Sequence, residues 1–170
     1  MSAATADAAA RQAQLRGVFS KFATGVTVVT AASPDGAHGM TANSFTSVSL
    51  SPPLVLVCVL RQARMHQLIL DRGSFAVSVL SNQQRTLASY FADNRRSATE
   101  DEFEPVDWLP GRRTGVPLIR DALAWLECRL TAVHDGGDHS IFVAEVLDLG
   151  RTEGEDALLF FGGAYRELDG

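Results

Sequence analysis

The chain has 170 residues, the length of one ordinary domain, and its 46% hydrophobic and 21% charged composition excludes a disordered chain. A formal net charge of −5, with no Lys/Arg cluster interleaved with aromatics, argues against a nucleic-acid binder, which needs a concentrated basic face. No apolar stretch approaches the ~20 residues of a membrane span, and the Ala-rich start carries Asp7 without a continuous apolar run, so no membrane association and a cytoplasmic location are expected.

Residues 1–9 read as a flexible tail and 10–170 as a single domain. Leu15, Val18, Phe19 and Phe22 recur at helical spacing and predict an amphipathic helix with Arg11, Arg16 and Lys21 toward water. Val26–Ala32 is β-branched and apolar, a buried strand, and Ser33-Pro34-Asp35-Gly36 is turn chemistry. His38–Leu50 reads as one long, polar strand ended by Pro52-Pro53, which cannot donate to a ladder. Leu54–Leu60 is another apolar strand.

Met65, Leu68 and Ile69 predict a short surface helix stopped by Gly73, followed by a strand at Phe75–Leu80. Leu87, Tyr90 and Phe91 mark a third amphipathic helix. Residues 93–117, charged and rich in Gly and Pro, read as a long excursion of the kind that is often functional. Ala124–Val133 and Ser140–Leu149 are strands joined by the hairpin connection His134–His139, and Leu158–Phe161 is a last short strand before the Gly162-Gly163 bend. Strands joined directly, with few helical crossovers, favour an antiparallel closed barrel with peripheral helices over a doubly wound sheet. Neither a GxGxxG after a strand nor a GxxxxGK[ST] is present.

The segment Gly39-Met40-Thr41-Ala42-Asn43-Ser44-Phe45-Thr46-Ser47-Val48-Ser49-Leu50-Ser51 puts hydroxyl and amide groups on both faces of a strand. Buried polar side chains are costly unless something hydrogen-bonds them. A heteroaromatic ligand edged with carbonyls and ring nitrogens would supply partners, and so would water on an open edge strand. Composition leaves both readings open. Cys58 and Cys128 sit inside the apolar runs LVLVCVL and LAWLECRL, where a thiol behaves as a small hydrophobe, and no Cys/His spacing supports a metal site.

The runs FATGVTVVTA and DGAHGMTANSFTSVSLSPPLVLVCV, then GSFAVSVLSNQQ, Phe91-Ala92, and WLECRL…GDHSIFVAEV…LLFFGGAYREL, closely resemble the short-chain flavin reductases of two-component flavin-dependent monooxygenases. That family belongs to the flavin-reductase-like group of FMN-binding split barrels. The resemblance implies a mainly β protein with peripheral helices, an antiparallel Greek-key split β-barrel, acting as a homodimer. It implies binding of FMN or FAD, reduction of the flavin by NADH or NADPH, and release of reduced flavin to a partner monooxygenase.

By position in these motifs, the resemblance places Thr41, Ala42, Asn43 and Ser44 along the isoalloxazine, and Ser47, Ser49 and Ser51 nearer the ribityl chain and phosphate. Arg61 and Arg64 fall in the family's phosphate-binding turn, where guanidinium forks match phosphate oxygens. Phe160 can stack on the ring, and Tyr165 shapes the same pocket. His139, in Gly137-Asp138-His139, matches the nicotinamide-side histidine, which can hydrogen-bond the dinucleotide or donate a proton. His38 is expected beside the flavin segment and His66 on a helix face.

The chain departs from the pattern at Leu60, where many relatives carry Asp or Asn, and at Met65, where many carry a hydroxyl. Ala144, Ala157 and Phe160 stand where Gly, Pro and Tyr are common. Two further readings stay open: a reductase that keeps its flavin and passes electrons to another acceptor, and a non-catalytic flavin-binding barrel.

Overall fold

The computed structural model describes residues 3–33, 36–93, 101–153 and 156–168. Its first element, helix α1 (Ala3–Phe19), starts inside the segment expected to be a tail, because an Ala-rich run is the strongest helix former. Leu15, Val18 and Phe19, and Phe22 just beyond the helix, are 42–77% exposed, and among the described residues they join none of the core clusters. Among the described residues no helix is long and apolar enough to cross a membrane.

The strands follow in order: β1 (Thr24–Gly25), β2 (Thr27–Ser33), β3 (Gly36–Ala42), β4 (Thr46–Leu50) and β5 (Pro53–Leu60). Helix α2 (Arg64–Arg72) leads to β6 (Ser74–Val79), and a 3-10 turn (Asn82–Gln84) opens helix α3 (Arg85–Ala92). Then come β7 (Trp108–Pro110), β8 (Pro117–Ile119), β9 (Ala124–Gly136), β10 (His139–Arg151), β11 (Leu159–Phe161) and β12 (Ala164–Arg166).

Seven strands form one antiparallel sheet in the order β3-β2-β6-β9-β10-β5-β4. Strands β6, β9 and β10 neighbour one another in sequence order, and β5 lies beside β10 rather than β6. This is the Greek-key arrangement. The two edges, β3 and β4, are consecutive in the chain and joined only by residues 43–45. A sheet whose edges are three residues apart must curl onto itself, and the seam where β3 and β4 do not pair is the split.

The strand expected over His38–Leu50 is therefore two strands on opposite edges. The polarity on both faces belongs to a seam, where side chains take over the hydrogen bonding that a ladder would provide. The chain reverses from β4 into β5 through a cis Ser51–Pro52 peptide.

Inside the barrel, Val29, Val55, Val57, Val59, Phe75, Val77 and Phe142 meet Met65, Leu68 and Ile69 of α2. Each large apolar side chain so buried contributes about 1.5–3 kcal/mol, and Gly73 in the left-handed region (φ 63°) stops the helix with its N–H on the Ile69 carbonyl. A second cluster lies outside the sheet, where Val26 and Val28 meet Ala88 and Phe91 of α3, Phe103, Ile119 and Leu158. Strand β2 is thus covered on both sides, as its continuous apolar run predicts.

Of the expected 93–117 excursion, residues 94–100 lie outside the described residues. Its far end is not irregular but the β7–β8 hairpin. The buried Glu127 of β9 anchors the hairpin's loop, accepting hydrogen bonds from the Arg113 N–H (3.0 Å), the Thr114 N–H (2.7 Å) and the Thr114 hydroxyl (2.7 Å). A loop with few apolar side chains is held down here by one carboxylate.

Candidate active site

Thr41, Ala42 and Asn43 at the end of β3, Val26, Ala92 at the end of α3, and Phe160 and Tyr165 from β11 and β12 line a cleft of about 190 Å³. Five of these seven were expected at a flavin site from the sequence. The β11–β12 hairpin delivers the two aromatics because Gly162 and Gly163 both take positive φ (62° and 78°), as a tight two-residue turn requires. Phe160 and Tyr165 meet edge to face, with centroids 5.8 Å apart. Partial burial holds the Tyr165 phenol above its ordinary pKa.

The polar groups of this wall already have specific partners. Thr41 donates its hydroxyl proton to the Ala88 carbonyl of α3 (2.7 Å), so toward a ligand it can only accept. Asn43 donates one amide N–H to the Thr24 hydroxyl (3.2 Å), which leaves its carbonyl oxygen and second N–H for a ligand edge. Ser44 is different. Its hydroxyl donates to the Cys58 carbonyl (2.9 Å) and accepts from the Cys58 N–H (3.2 Å), stitching the seam to β5, and it is not among the residues lining the cleft.

Along β4, Ser47 pairs with Val55 and Ser49 with Leu54, with a bulge between them, and Ser51 follows the strand's end. Ser47 and Ser51 are exposed and Ser49 half-buried, and all three lie outside the cleft lining.

A second group gathers where β10 pairs with β5. His139 sits opposite Leu60, and two residues along, about 7 Å, Ile141 sits opposite Cys58, the partner of Ser44. The histidine is half-exposed, with Nδ1 2.7 Å from the Asp138 carboxylate. A carboxylate only accepts, so Nδ1 carries the proton and Nε2 is the acceptor of the neutral ring. That bond also holds the Asp138 carboxyl below its usual range. Arg61 reaches the same turn through its Nε and Nη2.

A third group joins the remaining arginine to β3. The buried Glu102 accepts from Arg64 Nη1 (3.1 Å) and lies 2.8 Å from His38 Nδ1. Close by, His66 Nε2 is 2.9 Å from the Ser140 hydroxyl, and burial together with the Arg61 charge lowers the His66 pKa. Glu102 carries no motif that would single it out. It comes from the excursion, 64 residues from His38, a separation no local pattern reveals.

Residues 19–169 match the family model described as the flavin reductase like domain. The chain belongs to the flavin-reductase-like family. This flavin-reductase-like chain is 50% identical over 155 residues to an NADH-dependent FAD reductase of Streptomyces globisporus, covering 91% of this chain and 85% of that protein. It superposes with a TM-score of 0.87 on the S. globisporus C-1027 NADH:FAD oxidoreductase SgcE6 in complex with NAD and FAD fragments, at 49% identity and 93% coverage of both chains. It superposes with a TM-score of 0.88, at 51% identity and covering 92% of this chain and 98% of that one, on BorF, the flavin reductase component of a bacterial two-component tryptophan halogenase. The expected antiparallel split barrel is the fold observed, and the chain is an NAD(P)H:flavin oxidoreductase.

Proposed function

We propose that this flavin reductase uses NADH to reduce FAD or FMN in the Thr41–Asn43/Phe160–Tyr165 cleft and passes the reduced flavin to a separate oxygenase or halogenase. The observation that carries the reading is the cleft itself: an apolar floor of Val26, Ala42 and two aromatic rings, rimmed by Thr41 and Asn43. That donor set suits an isoalloxazine, a flat ring with apolar faces and a hydrogen-bonding edge. The resemblance to SgcE6 and BorF supports NADH as donor and a two-component partnership.

When bound, the flavin supplies the redox chemistry, accepting at N5 the hydride that leaves nicotinamide C4 with its electron pair. The protein's part is placement. Phe160 and Tyr165 present ring surface, Asn43 offers an acceptor and a donor to the ring edge, and Thr41 offers an acceptor. Ser47, Ser49 and Ser51, beyond the cleft lining on and just after β4, would offer hydroxyls to the ribityl chain, and Arg64, held by Glu102, would offer the phosphate a guanidinium. His139 holds the nicotinamide side, its Nε2 accepting a hydrogen bond when neutral and donating a proton when charged.

The working unit is a homodimer. The exposed apolar side of α1, together with Leu50 (95% exposed) and Val48, is the surface that a second copy would cover. A cytoplasmic location fits Cys58 and Cys128, which both stand as free thiols.

The test is steady-state NADH and NADPH oxidation with FAD or FMN added in excess. Flavin-dependent turnover without another acceptor is the expected result. Oxidation only when a metal complex, quinone or protein acceptor is added would replace the diffusible-flavin reading with a bound-flavin one. No oxidation at all would reduce the protein to a binding barrel.

A further inference from the structure

Arg61 lies in the turn that the family resemblance assigns to the flavin phosphate, yet its contacts point elsewhere. Its backbone N–H donates to the Asp138 carbonyl at 3.0 Å. Its Nε donates to the carbonyls of Gly137 (3.0 Å) and His139 (3.3 Å), and its Nη2 pairs with the Asp135 carboxylate at 3.0 Å. All four interactions end on the β9–β10 turn, residues 135–139.

That turn is also tied from within, closed by the Gly136–His139 strand pair. Gly137 occupies the left-handed region (φ 78°), and its N–H is already held by Asp135 Oδ1 at 2.8 Å. Asp135 thus joins the turn's own backbone to the arginine, and both bonds keep its carboxyl below the usual range. On the other side, His139 is fixed at Nδ1 by Asp138, whose carbonyl the Arg61 N–H holds. The guanidinium fork therefore grips the backbone on either side of Asp138 and one carboxylate at once, which a point charge cannot do.

We propose that Arg61 is the positioning residue for His139: it fixes the turn that aims the imidazole, and acts on the nicotinamide rather than on the flavin phosphate. Arg64, held by Glu102, is then the arginine left to the phosphate. This inference rests on the reading of His139 as the nicotinamide-side residue, and the variants below separate the two.

The experiment compares Arg61→Met, Arg61→Lys and Asp135→Asn with the unaltered enzyme. NADH KM and kcat are measured at saturating flavin, FMN and FAD dissociation by flavin fluorescence, and the His139 imidazole resonance by NMR, assigned by its loss in His139→Ala. Arg61→Met is expected to raise NADH KM roughly three- to tenfold, the worth of one lost hydrogen bond, and to move the His139 resonance. Flavin dissociation constants stay within about twofold on this reading. Arg61→Lys, with its charge but no fork, recovers less than half of the loss. Asp135→Asn keeps the arginine's charge and shifts NADH KM in the same direction.

The proposal is overturned if Arg61→Met weakens FMN and FAD while NADH KM and the His139 resonance stay put. It is also overturned if His139→Ala raises NADH KM but none of the other three variants does. A His139 resonance that moves in Arg61→Met, with NADH KM unchanged in His139→Ala, upholds the clamp and rejects the nicotinamide role instead.

Discussion

The Ser44 hydroxyl meets both backbone groups of one residue, donating to the Cys58 carbonyl and accepting from the Cys58 N–H, and so carries the β4–β5 ladder on by side chain beyond the last backbone pair, Thr46 with Leu56. Ser44→Ala leaves that N–H and carbonyl without these partners. The expected loss is about 1–3 kcal/mol of unfolding free energy, read as a lower urea midpoint at an unchanged m-value. A stability within a few tenths of the unaltered protein would mean that water or a shifted β4 replaces the hydroxyl.

Phe160 is expected to carry more flavin affinity than the serines of β4. Removing a stacking aromatic costs on the order of 1–3 kcal/mol for a planar heterocycle, so Phe160→Ala should weaken FMN and FAD by roughly tenfold in a fluorescence titration. Ser44→Ala should weaken them only as far as the seam loosens. Tyr165→Phe keeps the ring that packs on Phe160 and is expected to bind flavin within about twofold of the unaltered protein.

Glu127 predicts a local failure. Glu127→Ala strips the partners from two backbone N–H groups and the Thr114 hydroxyl, and is expected to cost about 3 kcal/mol or more. Hydrogen exchange would show the β7–β8 loop opening first. Gly111→Ala attacks the same point sterically, since a Cβ there would lie 2.3 Å from Glu127 Oε1. Unchanged exchange at residues 111–116 in both variants would remove Glu127 from this role.

The Cys128 thiol is pushed up to about 12, first by burial and then by the neighbouring Glu127 charge. Its folded pKa lies above the ordinary value of 9.0, so its contribution to stability is complete below about pH 9. That contribution is lost as pH rises toward 12, because unfolding then releases a proton. Cys128→Ala should flatten the fall in stability between pH 9 and 11. In the native protein at pH 8, Ellman's reagent is expected to leave Cys128 unmodified and to modify Cys58 slowly, since partial burial raises that thiol too.

The strands were legible wherever burial is complete. Val26–Ala32 and Leu54–Leu60 read directly because both barrel faces or one whole face demand apolar residues. The β9–β10 hairpin follows from its glycines, but the connection expected over His134–His139 shrinks to Gly137-Asp138, because the strands run on to Gly136 and His139. The polar stretch 38–50 misled in one respect: alternation along a strand does not report a change of partner, and the crossing at Asn43–Phe45 depends on β5 lying 14 residues away. Helix α1 began earlier than its apolar spacing suggests because backbone propensity, not burial, sets its start. Thr41, Ala42, Asn43, Phe160 and Tyr165 were found as a set through the family motifs, and they do share one cleft. The partners of the two arginines were not legible, since both are chosen by tertiary approach.

The three residues that join β3 to β4 have to satisfy two demands at once. They are the latch of the barrel, and Asn43 among them is the rim of the cleft. A mutation that enlarges this wall to admit a bulkier ring would also spring the latch, so this side of the pocket has little freedom to drift. Adaptation to a different flavin or flavin analogue is therefore expected to accumulate across the cleft, at Ala92, Phe160 and Tyr165, where change leaves the closure of the sheet untouched.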